Sequence, residues 1–267
     1  MTTLAVSGAL GRMGGRVIAL AHEAPDLRVT TAIEREGHPL LGQDPGPYLG
    51  IGPLGTPLTS DLSNRVDVLI DFSTPDATME RLQECIAHRT AFLVGTTGLT
   101  EDQMSRIRQA ASAIPCLVSP NMSVGVNVLY QVVSEAARLL GQGYDVEVVE
   151  AHHRFKKDAP SGTALRIARV IAAALGRDVA KESVYGRHGN AAERSQSEIG
   201  IHSIRAGDIA GDHTVIFSNL GERLEITHRA HSRDTFARGA LRAAKFLAEA
   251  KPGFYHIDEA LGLNQPG

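Results

Sequence analysis

The sequence predicts an α/β fold in two parts, a doubly wound parallel sheet followed by an α+β domain with an open mixed sheet. In the first half, short β-branched runs alternate with longer helical patterns, which is typical of a parallel sheet with helices on both faces. A glycine-rich turn joins the first predicted strand to the first predicted helix. In the second half, three strand-like runs follow one another without intervening helices, which favours a separate α+β unit.

The predicted elements of the first part follow from hydrophobic periodicity. The predicted strands are Leu4–Ser7, Arg28–Ile33, Val66–Phe72, Ala91–Val94 and Pro115–Ser119. Helical spacing of apolar residues indicates helices near 12–23, 76–88 and 101–112. Segment 35–62 is rich in Gly and Pro and has no sustained periodicity, so we expect an exposed, irregular and mobile connection there.

The pattern of predicted helices and strands changes after residue 123, where we place the domain boundary. The second part, 124–234, is predicted to contain a helix from Val124 to about Leu140, strands at 144–153, 199–206, 213–218 and 223–230, and a helix at 161–175. A last helical pattern, Thr235–Ala250, could cover either part, because periodicity alone does not assign it.

Composition narrows the function classes. The 267 residues are 43% hydrophobic with a formal net charge of −3, which suits two modest soluble domains and gives no basic surface for nucleic acid or an anionic membrane. No segment has the pattern of a signal peptide or the roughly 20 apolar residues of a membrane span. Cys85 and Cys116 lie in apolar stretches, and we expect buried free thiols in a reducing cytoplasm.

The stretch "LAVSGALGRMGGRV" carries Gly8, Gly11 and Gly14 between a strand and a helix. Glycines there allow a tight turn and let backbone N–H groups approach a pyrophosphate at the helix N-terminus, as in Rossmann-type domains. The spacing is GxxGxxG, because Leu10 stands where the usual second glycine would be. A tight turn that binds no ligand remains the alternative.

Glu34 follows the second predicted strand, twenty residues after Gly14, where an acid can bond the adenosine ribose hydroxyls. Arg35 is next to it, and a guanidinium can bracket a 2′-phosphate that the carboxylate would repel. The pair therefore indicates tolerance for both NADH and NADPH, with an ordinary charged turn as the alternative.

Two further loops end predicted strands at the same edge of the sheet. "VGTTG" at 94–98 and "SPNMSVG" at 119–125 offer small residues and backbone amides together with Thr96, Thr97 and Asn121. Because ligands of doubly wound sheets bind beyond the carboxyl ends of the strands, we expect the nicotinamide there. These residues could also serve only as turn formers.

The stretch "EAHHRFKKDAPSGTAL", residues 150–165, concentrates positive charge before a helix. The first-turn N–H groups of that helix and its dipole would favour an anion beside His152, His153, Arg154 and Lys156. The simpler alternative is a solvated basic turn in which Ser161 caps the helix. Zinc is disfavoured, because no third ligand has a plausible local spacing, and we predict no metal.

Taken together, "GALGRMG", "GTTG", "SPNMSVGVN" and above all "EAHHRFKKDAPSGTA" closely resemble the 4-hydroxy-tetrahydrodipicolinate reductase (dihydrodipicolinate reductase) family of diaminopimelate and lysine biosynthesis. The resemblance extends to "IRAGDIAGDHTVIF" and "GERLEITHRAHSRDTFARGAL", and so covers nearly the whole chain. It implies a dinucleotide-binding domain at 1–123, a substrate and tetramerisation domain at 124–234, and a C-terminal helix within 235–267 that returns to the first domain. It also implies a cytoplasmic homotetramer.

The resemblance assigns roles to individual residues. The implied cofactor-binding residues are Gly8, Ala9, Leu10, Gly11, Arg12, Met13, Glu34, Arg35, Gly95, Thr96, Thr97, Ser119, Pro120, Asn121 and Met122. The dicarboxylate substrate would meet His153, Gly162 and Thr163. His152 matches the family's acid/base histidine, and Lys156 its proton donor. Hydride addition to a cyclic imine leaves an electron-rich ring that must take up a proton, which a cationic donor can supply.

Two other classes of protein remain open at this point. One is another two-domain NAD(P)-dependent dehydrogenase of amino-acid metabolism. An acylating semialdehyde enzyme would need a nucleophilic cysteine in a polar loop, and neither Cys85 nor Cys116 has that setting. The other is a non-catalytic dinucleotide-sensing protein, which would bind the cofactor without turnover.

Overall fold

The structure is a computed structural model and describes residues 1–190 and 192–263. The chain divides into two compact units. Unit 1 comprises Met1–Val124 and the C-terminal segment from Arg233, and unit 2 comprises Gly125–Ser232. Elements are numbered along the whole chain.

Unit 1 is built on a parallel sheet of seven strands. They are β1 (Thr2–Ser7), β2 (Leu27–Ile33), β3 (Leu58–Thr59), β4 (Val68–Asp71), β5 (Ala91–Val94), β6 (Pro115–Val118) and β12 (Gly253–Tyr255). The strand order is β12-β6-β5-β4-β1-β2-β3, and every pairing is parallel. The order runs outward in both directions from β1 and β4, which is the doubly wound arrangement that the alternating pattern predicts.

Helices cover both faces of this sheet. They are α1 (Gly14–Glu23), α2 (Gly46–Leu49), α3 (Pro75–His88), α4 (Glu101–Ala110), α8 (Asp234–Glu249) and α9 (Ile257–Ala260). One core packs Ile18 of α1 and Ala244 of α8 against the sheet, and the other packs Leu82 of α3 and Ile107 of α4 against it. Because both faces are buried, the strands are nearly continuous apolar runs.

The sequence prediction misses short elements at both edges of the sheet. Segment 35–62 is not wholly irregular, because it contains α2 and the two-residue strand β3, which pairs with β2. The Asp44 carboxylate organises this segment by accepting hydrogen bonds from the N–H groups of Gly46, Leu54 and Gly55 at 2.8–3.1 Å. After α8 the chain forms β12 and α9, and residues 264–267 of the predicted C-terminal segment lie outside the described residues.

Unit 2 contains a mixed sheet of five strands. Its elements are α5 (Val124–Leu140), a 3₁₀ turn (Gly141–Gly143), β7 (Asp145–His152), α6 (Gly162–Leu175), α7 (Val179–Glu182), β8 (Ser183–Tyr185), β9 (Ile199–Arg205), β10 (Gly211–Asn219) and β11 (Glu222–Ala230). The order is β11-β10-β7-β9-β8, with β10 antiparallel to both neighbours and the other pairings parallel. The prediction misses α7 and β8, which are too short to show a period. The predicted fold class is confirmed in both units.

Helices α5 and α6 pack on one face of the unit 2 sheet. Val146 and Val148 of β7 are buried with Ile167 and Ile171 of α6 in a single core. Since side chains alternate along a strand, Glu150 and His152 point to the same helix-covered face, whereas Glu147 points to the other face.

The cysteines are buried and free, as predicted. Burial raises the pKa of the Cys116 thiol to about 12, and burial also raises the pKa of Cys85. Neither thiol is therefore a ready nucleophile. Within residues 1–190 and 192–263, no helix is both long and apolar enough to cross a membrane.

Candidate active site

The loop after β1 is as tight as its glycines predict. Gly8 has φ +72°, and a Cβ there would lie 2.5 Å from the carbonyl oxygen of Phe72. A Cβ on Gly14 would lie 2.1 Å from the carbonyl oxygen of Gly8. Both positions therefore exclude a side chain, and α1 starts directly against the end of β1.

The start of α1 has the features of a dinucleotide site. Met13 is its N-cap and makes no side-chain capping bond, and the Gly15 N–H donates to the Gly11 carbonyl at 3.0 Å. The helix start is therefore closed by loop backbone and not by an N-cap side chain. Gly11 and Arg12 are exposed, Leu10 is half-buried and Ala9 is buried. A glycine-rich turn with Gly11 and Arg12 exposed, ending at a helix N-terminus that no N-cap side chain occupies, fits a pyrophosphate.

Glu34 lies beside this loop. Its Oε1 accepts a hydrogen bond from the Leu10 N–H at 3.0 Å, and its Oε2 accepts one from the Arg35 N–H at 3.3 Å. The structure thus brings the predicted ribose-binding acid to the glycine loop, with the exposed Arg35 next to it. An accepting carboxylate for the ribose hydroxyls and a guanidinium donor beside it fit the adenosine half of a dinucleotide.

The loop after β5 is held by Asp71, a fully buried carboxylate at the end of β4. Asp71 accepts hydrogen bonds from the hydroxyls of Ser73 (2.5 Å), Thr78 (2.5 Å) and Thr96 (2.7 Å). Thr96 also accepts the Ser73 N–H at 3.0 Å. The Thr96 side chain is therefore engaged within the protein, whereas Thr97 is exposed and Gly95 is buried under the Phe72 ring.

The loop after β6 is ordered by its own polar groups. The Ser119 hydroxyl donates to the Asn121 carbonyl at 2.9 Å, and Asn121 Oδ1 accepts the Ser123 N–H at 3.0 Å. Pro120 is exposed and Met122 is buried. Gly239 of α8 approaches the loop so closely that a Cβ on Gly239 would lie 1.7 Å from the Met122 carbonyl oxygen. The predicted residues 95–97 and 119–122 thus follow adjacent strands at one sheet edge.

In unit 2, α6 begins as the Pro-Ser-Gly-Thr turn predicts. Ser161 is the N-cap, and its Oγ accepts the Ala164 N–H at 3.1 Å. Gly162 is exposed and a Cβ there would meet no atom within 4 Å, so the first turn is open to a ligand. Thr163 is half-buried and hydrogen-bonded to Tyr130.

Next to this turn lies a buried cluster around Glu150, which is 0% exposed. Its Oε2 lies 2.5 Å from His152 Nδ1, and its two oxygens accept from the Arg205 guanidinium at 2.9 Å each. Glu150 Oε1 also accepts the Ser161 N–H at 3.1 Å. The carboxylate therefore joins β7, β9 and the start of α6.

These contacts set the protonation state of the cluster. Burial opposes the ionisation of Glu150, but hydrogen bonds from His152, Arg205 and the neighbouring Ser203 and Ser161 hold the pKa of that carboxyl well below its usual range. His213 of β10 lies edge-on to His152, with ring centroids 5.2 Å apart, and its Nε2 is 3.2 Å from Ser161 Oγ. Burial, with the charge of His152, lowers the pKa of His213 to about 3.

The loop between β7 and α6 carries the other predicted side chains. Lys156 is 2.9 Å from Asp158, and its side chain is 23% exposed. His153 is half-buried, and Lys157 is exposed. The predicted residues of unit 2 thus lie along one continuous stretch: His152 ends β7, His153 and Lys156 lie in the loop that follows, and Gly162 and Thr163 lie in the first turn of α6.

Sequence reasoning missed Glu150, Arg205 and Asp71. A signal for Glu150 existed, because it occupies an inward position of an alternating strand where an apolar residue is the norm. Asp71 ends a strand that is otherwise apolar, and the same argument applies. Arg205 has no comparable local signal, since its pairing with Glu150 depends on the register between β7 and β9.

Family models of known proteins match both halves of the chain. Residues 2–122 match the family model "Dihydrodipicolinate reductase, N-terminus", and residues 125–261 match "Dihydrodipicolinate reductase, C-terminus". The chain belongs to the dihydrodipicolinate reductase family. The predicted family resemblance is thereby confirmed, and with it the oxidoreductase class and a nicotinamide dinucleotide cofactor.

Similar proteins cover nearly the whole chain. The 4-hydroxy-tetrahydrodipicolinate reductase of Citrifermentans bemidjiense is 48% identical over 266 residues, which is 98% of this chain and 100% of that protein. The enzyme of the same name from Syntrophotalea carbinolica is 49% identical over 266 residues, with the same coverage. A dipicolinate-bound dihydrodipicolinate reductase structure from Paenisporosarcina sp. TG-14 shares the fold, with a TM-score of 0.74, 24% identity, and coverage of 96% of this chain and 97% of that one.

Proposed function

We propose that the protein reduces 4-hydroxy-tetrahydrodipicolinate to tetrahydrodipicolinate with NADPH or NADH and one proton, with loss of the 4-hydroxyl as water, a step of diaminopimelate and lysine biosynthesis. The observation that carries the proposal is that an exposed helix start, two histidines and a lysine occur together in unit 2 of a chain that belongs to this family throughout its length. A small dicarboxylate is the ligand that such a group of cations and backbone donors would favour.

Unit 1 is the cofactor-binding part of this proposal. The pyrophosphate would lie on the turn Gly8–Met13 at the N-terminus of α1, with the ribose at Glu34 and a 2′-phosphate at Arg35. The loops 95–97 and 119–122 would hold the nicotinamide half, mainly through backbone groups, because the Thr96 hydroxyl is already bonded to Asp71. When bound, the reduced nicotinamide supplies the hydride.

Unit 2 is the substrate-binding part. The backbone N–H groups of Gly162 and Thr163 and the His153 side chain would hold the two carboxylates, which fixes the orientation of the ring. Lys156 would give the ring its proton, since it is a cationic donor in the same loop as His153. His152 would exchange protons at the same ring through the nitrogen that does not face Glu150.

The proposal includes a homotetramer in the cytoplasm. The face of the unit 2 sheet opposite α5 and α6 carries Ile204, which is 47% exposed on a seven-residue strand, and a sheet face of this kind is a suitable contact surface for a second copy. Two free thiols suit a reducing compartment.

The direct test is to supply the product of dihydrodipicolinate synthase and follow NADPH absorbance. The proposal expects NADPH oxidation that depends on this compound. A dehydrogenase of another amino-acid substrate would leave NADPH unchanged until its own substrate is added. A dinucleotide sensor would bind NADPH, as shown by fluorescence, and oxidise none with either substrate.

A further inference from the structure

Glu150 is the most constrained side chain of the candidate site that the proposed chemistry leaves without a role. Its carboxylate is fully buried, and it accepts hydrogen bonds from His152, Arg205 and the Ser161 N–H. The cross-strand neighbours of Glu150 are Ser203 on β9 and His213 on β10. These groups come from three strands and one helix start, so the carboxylate cannot move without disturbing all of them.

The contacts decide which nitrogen of His152 carries a proton. The two-pronged Arg205 contact and the low pKa of Glu150 make the group a carboxylate, which can only accept hydrogen bonds. At 2.5 Å from Glu150 Oε2, His152 Nδ1 must therefore be the donor. Neutral His152 is then the Nδ1–H tautomer, and its Nε2 carries the lone pair.

The opposite edge of the same ring is also confined. His152 Nε2 faces Gly211, where a Cβ would lie 3.1 Å from that nitrogen. A side chain at 211 would crowd the ring against Glu150, so the glycine leaves the space that this ring position needs. His213 packs against the ring edge-on and completes its surroundings.

Glu150 also sets the start of the anion-binding helix. It accepts the Ser161 N–H at 3.1 Å, and Ser161 is the N-cap of α6, directly before Gly162. One carboxylate therefore fixes both the histidine ring and the turn whose N–H groups would hold the substrate.

We propose that Glu150 is a positioning residue, which holds His152 as the Nδ1–H tautomer with Nε2 available for proton exchange and fixes Ser161 at the start of α6. The assignment rests on the proposed function for its catalytic meaning. Glu150 is fully buried and so is shielded from a ligand. It acts through His152 and through the first turn of α6.

Glu150→Gln keeps the shape and removes the charge, and Glu147→Gln is the matched control. Glu147 lies on the same strand with arginine and histidine partners of its own, but on the other face of the sheet. The first measurement is the tautomer of His152 by long-range ¹H–¹⁵N correlation of its ring. This measurement does not depend on enzyme activity, and the spectrum of the wild-type protein alone tests the tautomer assignment.

The expected result is an Nδ1–H tautomer in wild type and in Glu147→Gln, and a mixture of tautomers in Glu150→Gln. Turnover of Glu150→Gln should fall about 10- to 100-fold and the KM for the dicarboxylate should rise, while the KM for NADPH stays within twofold. An Nε2–H tautomer in wild type, or an unchanged tautomer and turnover in folded Glu150→Gln, would overturn the assignment. Wild-type protein that has the Nδ1–H tautomer but no reductase activity would instead contradict the proposed function.

Discussion

Two glutamates three positions apart on β7 have similar partners and different surroundings. Glu147 binds Arg187 at 2.9 Å, Arg194 at 3.0 Å and His202 at 2.7 Å. Glu150 binds an arginine and a histidine at comparable distances. Alternation along the strand turns them to opposite faces of the sheet.

The contrast lies in what each carboxylate organises. The arginine partners of Glu147 lie in the loop between β8 and β9, and its carboxylate packs over Gly200, where a Cβ would lie 1.8 Å from Glu147 Oε2. The partners of Glu150 include a helix N-cap and the candidate proton-exchanging histidine. A cluster of glutamate, arginine and histidine is therefore not in itself a functional site. The groups around it decide that.

Lys156→Ala tests whether the loop after Glu150 carries the chemistry, because Lys156 lies in the loop that follows β7. We expect the largest effect here. Loss of the proton donor should lower turnover by at least ~10²-fold, or about 2.7 kcal/mol in activation free energy, and leave cofactor affinity nearly unchanged. Steady-state kinetics and NADPH binding measure the two quantities. Lys157→Ala, its exposed neighbour, should keep wild-type turnover. If both variants behave alike, Lys156 has no special role.

His213→Gln tests how the buried histidine beside the Glu150 cluster affects the free energy of unfolding at acid pH. The pKa of His213 falls to about 3 in the folded protein, so below pH 6.5 the unfolded state binds the extra proton and stability decreases as pH falls. Between pH 6.5 and 4.5, wild type should lose roughly 2 to 3 kcal/mol more unfolding free energy than the variant. Urea unfolding at several pH values, with pH 8 as reference, gives the two slopes. If the free energy of unfolding changes equally with pH in the two proteins, His213 is not the cause of the acid destabilisation.

Glu147→Gln tests the other side of the strand. Two arginines and a histidine would lose a partly buried partner whose carboxyl pKa they hold at about 2 against the cost of burial. We expect a loss of about 1 to 2 kcal/mol in the free energy of unfolding at pH 7. The tautomer of His152 should not change. A shift in that tautomer would show that the two clusters are coupled and would remove the distinction between them.

Arg35→Ala gives the smallest expected effect and lies outside both clusters, in unit 1. The exposed guanidinium should contribute to the binding of NADPH rather than of NADH. Its loss should weaken NADPH binding about tenfold, or about 1.4 kcal/mol. Fluorescence titration with each cofactor measures the difference. Equal losses for both cofactors would argue against recognition of a 2′-phosphate at this residue.

The long elements of both sheets were predictable because their periodicity is strong. Ala91–Val94 and Val124–Leu140 have the predicted bounds. The missed strands β3 and β12 have two and three residues, too few to show a period, and they form only because a neighbouring strand offers a free edge.

The candidate site divides in the same way. The contiguous motif from His152 to Thr163 was predictable, because its members are neighbours in sequence. Arg205 was not, because it reaches Glu150 only through the pairing of β7 with β9, at a separation of 55 residues. Long-range partners of a buried charge depend on strand register, which a single sequence does not specify.

The most direct test of the contrast between the two faces is an NMR titration with dipicolinate, a planar dicarboxylate. The account predicts that the amide resonances of Gly162 and Thr163, at the start of α6, move to saturation while the amide of Gly200, beneath Glu147, stays in place. Resonances that move at Gly200 and not at Gly162 and Thr163 would contradict it, because the dianion would then bind away from the Glu150 cluster.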